Sequence, residues 1–240
     1  MAIILDASGS MLQRLGDRRR IDIAKDVLST LGAEILPDGL PVALRVFGHD
    51  RPESCEQELF LPLAPLDRAA FAAAVERVQS VNLARTPIAA SLRAAAGDLA
   101  DAAGSRIIVL ITDGEETCGG DPLAEIAALR AEGVEVRLNI VGFAIGDPAT
   151  RALFETWAEA GAGAYFDAGD QAALGAAIEQ ATALPFVVLD AAGVEMAAGV
   201  VGGDPVPLPP GSYRLRVGDG PEQVVVIREG EEQRTVAGVP

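Results

Sequence analysis

The stretch Ile3-Ile4-Leu5-Asp6-Ala7-Ser8-Gly9-Ser10 carries a short apolar strand straight into a carboxylate and two hydroxyls at alternate positions. That is an all-oxygen donor set suited to a hard cation. A second apolar run, Ile107 to Thr112, also stops on an aspartate, Asp113, followed by Gly114. A third donor, Thr86, precedes Pro87, so Pro87 is expected at the first position of a helix with Thr86 as its cap. A small divalent ion such as magnesium takes about six oxygen ligands at roughly 2.0 to 2.1 Å and keeps several waters. The Ser8 and Ser10 hydroxyls can bind directly, while Asp6 and Asp113 can neutralise the charge through water. Read singly, each piece has a plainer use: Asp6 with Ser8 and Ser10 as a turn, Thr86 as a cap only, Asp113-Gly114 as a turn.

Taken together, Asp6, Ser8, Ser10, Thr86 and Asp113 follow the Asp-x-Ser-x-Ser, Thr, Asp order of a metal-ion-dependent adhesion site. On these residues, roughly the first three quarters of the chain resembles the von Willebrand factor A domain family. The resemblance implies that the two serines are direct ligands and that the carboxylates act largely through water. It also implies that an acidic side chain of a protein partner fills an open coordination position. The implied cation is Mg2+, with Mn2+ or Ca2+ as alternatives. The expected function is therefore a metal-dependent protein-binding module in adhesion or assembly, and not an enzyme.

The alternative is a metal-dependent, phosphatase-like hydrolase using the same strand-end site. Its aspartyl-nucleophile pattern, however, expects an acid where Ser8 stands. A Ser-His-Asp triad would have to use His49, the one histidine, and no Gly-x-Ser-x-Gly elbow presents a serine to it. His49 is expected to hydrogen-bond within its own loop.

These residues need elements to hold them. Ile21, Ala24, Val27, Leu28, Leu31 and Ile35 recur at helical spacing up to Pro37-Asp38-Gly39. A strand is expected from Pro41 to Gly48, and an edge strand over Glu58 to Leu63, where Pro62 cannot donate to a ladder. Helices are expected from Asp67 to Gln79 and from Pro87 to about Ala102, then the Ile107 to Thr112 strand. Asp121-Pro122 and Asp147-Pro148 each read as a cap followed by a first-turn proline, with a strand from Val134 to Phe143 between them. A strand at Ala164 to Asp167, a helix from Gln171 to Thr182 and a core Trp157 complete the unit. Alternating strands and helices predict a doubly wound α/β architecture, with a mainly parallel six-stranded sheet covered by helices on both faces. Asp6 and Asp113 then fall at carboxyl ends of strands, where ligands bind in such sheets.

The pattern changes after Leu184. Residues 1–184 are expected as the first domain and 185–240 as a small antiparallel β-sandwich, weakly similar to immunoglobulin-like or carboxypeptidase-regulatory-like modules. Its strands are read at Phe186 to Leu189, Val194 to Val201, Tyr213 to Val217 and Gln223 to Ile227.

At 240 residues, half of them hydrophobic, the chain can bury a large core. A net charge of -16 argues against a nucleic-acid partner. The one basic run, Arg14, Arg18, Arg19 and Arg20, reads as a solvated turn. Glu53, Glu56, Glu58, Glu115 and Glu116 read as solvated loop charges on the rim, or as a set recruiting a second cation or tuning partner choice. No segment reaches the about 20 apolar residues that span a bilayer.

Cys55 and Cys118 are the two cysteines. Each follows a strand of the parallel sheet, so both loops fall on the metal face, although an unplaced pair reads equally as two free thiols. The loop Glu116 to Pro122 is similar to one in exported bacterial members of the family, which favours a disulfide and an oxidising compartment. The chain is accordingly expected to be periplasmic or extracellular, with a cytoplasmic location as the alternative. Met1 lies just before the first strand, so any export segment is expected to have been removed.

Overall fold

The computed structural model describes residues 1–102, 105–201, 204–218 and 221–229. Two compact units are present: one of Met1–Asp101 with Arg106–Thr182, the other of Ala102–Ser105 with the chain from Ala183 onward. Residues 230–240 of the expected second domain lie outside the described residues.

The first unit begins with β1 (Ala2–Asp6), all five residues buried. A short hairpin, β2 (Arg14–Leu15) and β3 (Arg18–Arg19), turns at Gly16 and leads into α1 (Arg20–Thr30). Then come β4 (Pro41–Phe47), β5 (Gln57–Pro65), α2 (Arg68–Arg77), α3 (Ile88–Asp98), β6 (Ile107–Thr112), α4 (Pro122–Ala131), β7 (Arg137–Phe143), α5 (Pro148–Ala160), β8 (Tyr165–Ala168) and α6 (Gln171–Thr182). The six-stranded sheet has the order β5-β4-β1-β6-β7-β8. All its pairings are parallel except β4 with β5, which is antiparallel and irregular between Val42 and Arg45. This is the expected doubly wound sheet, with Pro62 on the edge strand where its missing N–H costs no ladder bond.

The chain passes from β1 to β4 on one side and returns to β6 on the other, so β1 and β6 flank a topological switch point. Every residue of β6 is buried, as is every residue of β4 except Pro41, which fits the near-continuous apolar text of strands covered on both faces. Trp157 packs in the core at 4% exposure, 5.3 Å from the Phe154 ring.

Local boundaries differ from the sequence reading in four places. The first helix gives way after Thr30 to a π-turn over Leu31–Ile35, closed by Leu36 N donating to Leu31 O at 2.9 Å. The strand expected from Val134 starts at Arg137, because Val134 N still closes the preceding helix on Leu129 O. The helix expected to reach Ala102 ends at Asp98, whose carboxylate is taken by Arg45 at 2.7 Å. Its start is also shifted, as described below. Asp67, Asp121 and Asp147 do cap their helices, each accepting from N–H groups of the first turn.

The second unit is a four-stranded antiparallel sheet in the order β10-β9-β11-β12, formed by β9 (Pro185–Leu189), β10 (Glu195–Val200), β11 (Gly211–Val217) and β12 (Gln223–Ile227). The described residues supply this one sheet of the expected small β domain. Tyr213, 7% exposed, donates to Pro209 O at 2.8 Å, and Ser105 donates to Val217 O, which attaches the Ala102–Ser105 segment to this unit. No described helix is long and apolar enough to cross a membrane.

Candidate metal centre

Three loops meet: one that leaves the carboxyl-terminal side of the sheet after β1, the one that joins α2 to α3, and one that leaves the same side of the sheet after β6. The first follows β1 and carries Asp6, Ser8 and Ser10. Asp6 is fully buried, with Oδ1 accepting from Ser8 N at 2.7 Å and Oδ2 accepting from Thr112 Oγ1 at 2.6 Å. The Ser8 and Ser10 hydroxyls are 3.0 Å apart, and Ser10 Oγ donates to Asp113 Oδ1 at 2.5 Å. Four of the five expected residues therefore form one hydrogen-bonded cluster across the ends of β1 and β6.

The fifth, Thr86, is buried at 4% exposure and is joined to the third loop by its backbone. Thr86 N donates to Thr117 Oγ1 at 2.7 Å, and Thr117 N donates back to Thr86 O at 3.0 Å. Gly9 N donates to Ala84 O at 3.2 Å, tying the first loop to the second. Each loop is thus pinned to the other two. Two glycines permit the approach: a Cβ on Gly9 would lie 2.8 Å from Leu83 N, and one on Gly48, whose φ is +78°, would lie 2.3 Å from Ser8 N.

Thr86 is not the helix cap. Helix α3 starts at Ile88, with Pro87 in the flanking position and no cap bond from its own side chain. The anionic cap comes from Glu116, whose Oε2 accepts from Ala89 N at 2.9 Å while Oε1 accepts from Cys118 N at 2.6 Å. A carboxylate at a helix N-terminus is favoured by the helix dipole as well as by the bond.

Three of the other four rim glutamates are engaged too: Glu115 accepts from Thr150 Oγ1, Glu53 pairs with Arg85, and Glu58 meets His49 Nε2 at 3.1 Å. His49 also lies edge-on to Phe60 at 4.9 Å, so its partners are on β5 and not in its own loop as expected. These partners make Glu53, Glu58, Glu115 and Glu116 parts of the loop scaffold. Among the described residues, no group of three or more His, Cys, Asp or Glu side chains is arranged to hold a metal. The candidate centre is instead two carboxylates with hydroxyls. Cys55 and Cys118 form a disulfide that fastens the β4–β5 loop to the loop after β6.

The basic run contains the residue that sequence reasoning missed. Arg20 is not a solvated turn residue: its Nη1 donates to Asp113 Oδ2 at 2.8 Å, with the two side chains 15% and 0% exposed. The available signal was its place at the first helical position, where a cation opposes the helix dipole and so calls for another reason.

The electrostatics follow from burial. Burial pushes the Asp6 carboxyl up to about 7, the nearby Asp113 charge adds to that, and the bonds from Ser8 and Thr112 oppose it. Burial also raises Asp113, while Ser10 and Arg20 hold it down. Two buried carboxylates with a shortage of positive charge, flanked by hydroxyls, fit a hard divalent cation by donor type and by charge.

Comparison with known proteins places the chain. It is 38% identical over 178 residues to the uncharacterized protein YwmD of Bacillus subtilis (strain 168), covering 70% of this chain and 78% of that one. Among solved structures it is similar to proximal thread matrix protein 1 from the mussel byssus with a zinc-occupied MIDAS motif, at 18% identity and TM-score 0.56, over 75% of this chain and 44% of that one. It is also similar to the von Willebrand domain of the type V pili tip protein Mfa5 from Porphyromonas gingivalis, at 14% identity and TM-score 0.56, over 75% and 93% of the two chains. At these identities the two structures speak for the fold. The family profile of the von Willebrand factor type A domain matches residues 1–180, and the chain belongs to that family.

Proposed function

We propose that this protein is a binding module that holds an acidic side chain of a protein partner on a divalent cation, Mg2+ by preference, and that it acts in adhesion or assembly and not as an enzyme. The observation that carries this reading is the cluster of Asp6, Ser8, Ser10 and Asp113, buried carboxylates and hydroxyls within hydrogen-bond reach of one another. Ser8 and Ser10 are the proposed direct ligands, with Asp6, Asp113 and Thr86 completing the shell. A bound cation supplies positive charge that attracts a carboxylate to an otherwise acidic face.

Support for a metal comes from the zinc-occupied motif of the mussel protein, and for adhesion from the pilus-tip domain, both of the same fold. Magnesium is preferred because the donors are all oxygen, without the nitrogen or sulfur that zinc favours. We place the protein in the periplasm or outside the cell, a reading supported by the Cys55–Cys118 disulfide. We retain 1–184 and 185–240 as its working domains.

Calorimetry tests the site. Wild type is expected to take up Mg2+ or Mn2+ and Asp6→Ala to take up none, and equal uptake by both would remove the assignment. A pull-down with and without chelator tests the purpose, since the partner is expected only without chelator. A partner held equally in chelator would move the function off this face.

A further inference from the structure

Arg20 occupies the first position of α1, where unpaired helical N–H groups already supply positive charge. An arginine there is out of place for the helix. It is in place for Asp113, whose Oδ2 accepts from Arg20 Nη1 at 2.8 Å. Arg20 Nε is buried with no hydrogen-bond partner among the described residues, so the guanidinium is held in this position chiefly by the one carboxylate. The backbone fixes where the side chain begins, because Arg20 N donates to Gln13 O at 2.9 Å at the foot of the β2–β3 hairpin.

The charge count at the sheet end follows. The cluster holds two carboxylates, Asp6 and Asp113, and one guanidinium, paired with Asp113, which leaves a single negative charge in place of two when both acids are ionised. Ser10 and Arg20 each hold one oxygen of Asp113. Asp6, by contrast, is held by a backbone N–H and a hydroxyl only. An incoming divalent ion therefore meets one carboxylate that is free of positive charge and one that already shares its charge with a resident cation.

We infer that Arg20 is a built-in counter-cation that shares Asp113 with the ion, holding the carboxylate in place when the site is empty and weakening the site's affinity for the metal by its own charge. A loaded site then carries a net positive charge, where without Arg20 it would be neutral. The residue thereby shifts binding strength from the metal to an anionic ligand. This inference rests on the metal-binding reading of the site above.

The test uses Arg20→Met, which keeps an unbranched apolar stem and removes the charge, and Arg20→Lys, which keeps the charge and removes the fork. Mg2+ alone is the probe, followed by calorimetry and by melting in chelator and in saturating Mg2+. Arg20→Met is expected to bind Mg2+ at least tenfold more tightly, since a unit charge and a divalent ion about 6 Å apart repel on that scale even with the screening of bulk water. It should also melt lower than wild type in chelator and gain more from saturating Mg2+ than wild type does. Arg20→Lys should stay near wild type in metal affinity. Should Arg20→Met not stay folded in chelator, competition titration from its metal-saturated state and Arg20→Gln give the same comparison.

Unchanged or weaker Mg2+ affinity in the neutral variants would overturn the inference, as would Arg20→Lys behaving like Arg20→Met. A purely structural arginine would lower melting equally in chelator and in Mg2+, which also counts against it. Wild type that takes up neither Mg2+ nor Mn2+ would instead bring down the metal site, and the inference with it.

Discussion

The ends of β1 and β6 carry the same residue type at neighbouring strand ends, yet they solve the burial of a carboxylate in different ways. Asp6 sits with neutral donors alone and is driven toward its protonated form. Asp113 has an arginine and a serine on its two oxygens, which oppose the same drive. The teaching is that a charge at a sheet end is set by what crosses over to it from elsewhere in the chain. Both draw a partner from far along the chain, Asp113 from Arg20 at 93 residues and Asp6 from Thr112 at 106, but only the first of these brings a charge.

The largest expected effect comes from the disulfide, which fastens the loop after β6 to the β4–β5 loop beside β1. Cys55→Ser with Cys118→Ser is expected to cost roughly 4 kcal/mol in the chain-entropy account for a bridge across 63 residues, read by denaturant unfolding. A loss well under 1 kcal/mol would mean that the bridge adds little to loops already pinned by hydrogen bonds.

Next in size is Asp113→Ala, which strands Arg20. Removing one partner of a buried pair costs roughly 3 to 5 kcal/mol, and the partial exposure of Arg20 puts this case at the low end. Melting in chelator checks it. A loss well under 1 kcal/mol would mean that the two aspartates are not differently held.

The pH response sharpens the comparison from the other side. Folding raises the Asp6 pKa from 3.8 to about 7, so between those values the folded chain binds the more protons. Its contribution to stability is then fully present below about pH 4 and is lost as pH rises through about 7. In chelator, wild type should lose stability relative to Asp6→Asn between pH 5 and pH 8. The amide can keep the geometry, because the single Thr112 proton can turn to Gly114 O, 2.9 Å away, while its oxygen accepts from the amide. Parallel pH curves for the two proteins would refute the neutral-donor picture of Asp6.

The smallest effect is expected at Glu116, which supports both loops from beneath. Glu116→Gln keeps an acceptor for only one of Ala89 N and Cys118 N and loses the charge at the helix end, together worth about 1 to 1.5 kcal/mol. Chemical unfolding should show that loss, and raised salt should shrink it.

What was legible in the sequence divides by whether the partners lie in one run or come from distant loops. Asp6, Ser8 and Ser10 lie in one run, and β1 and β6 announce themselves as apolar text covered on both faces, so the donor run and the parallel sheet could be read together, while the strand order came only with the fold. Thr86 could be placed in the site but not given its right local role, because Pro87 falls one position earlier relative to α3 and the capping acid comes from another loop. The partner of Arg20 was hidden for a like reason. A run of arginines before a helix has the look of a solvated face, and only the fold brings Asp113 to it. The two-residue strands β2 and β3 are too short to show a period, and the π-turn at Leu31–Ile35 keeps a helical spacing of apolar residues while changing the bonding beneath it.

The Cys55–Cys118 bridge has a mechanical consequence. Stretching between the two chain ends cannot lengthen the path through β5, α2, α3 and β6, because the covalent link bypasses it. The 63-residue separation hides roughly 210 to 230 Å of extended chain from tension. What tension can reach is β1, hydrogen-bonded on both sides to β4 and β6. Those parallel ladders must shear along their length before Asp6 is displaced. A single-molecule pulling trace should therefore show an extension longer by that amount once the bridge is reduced.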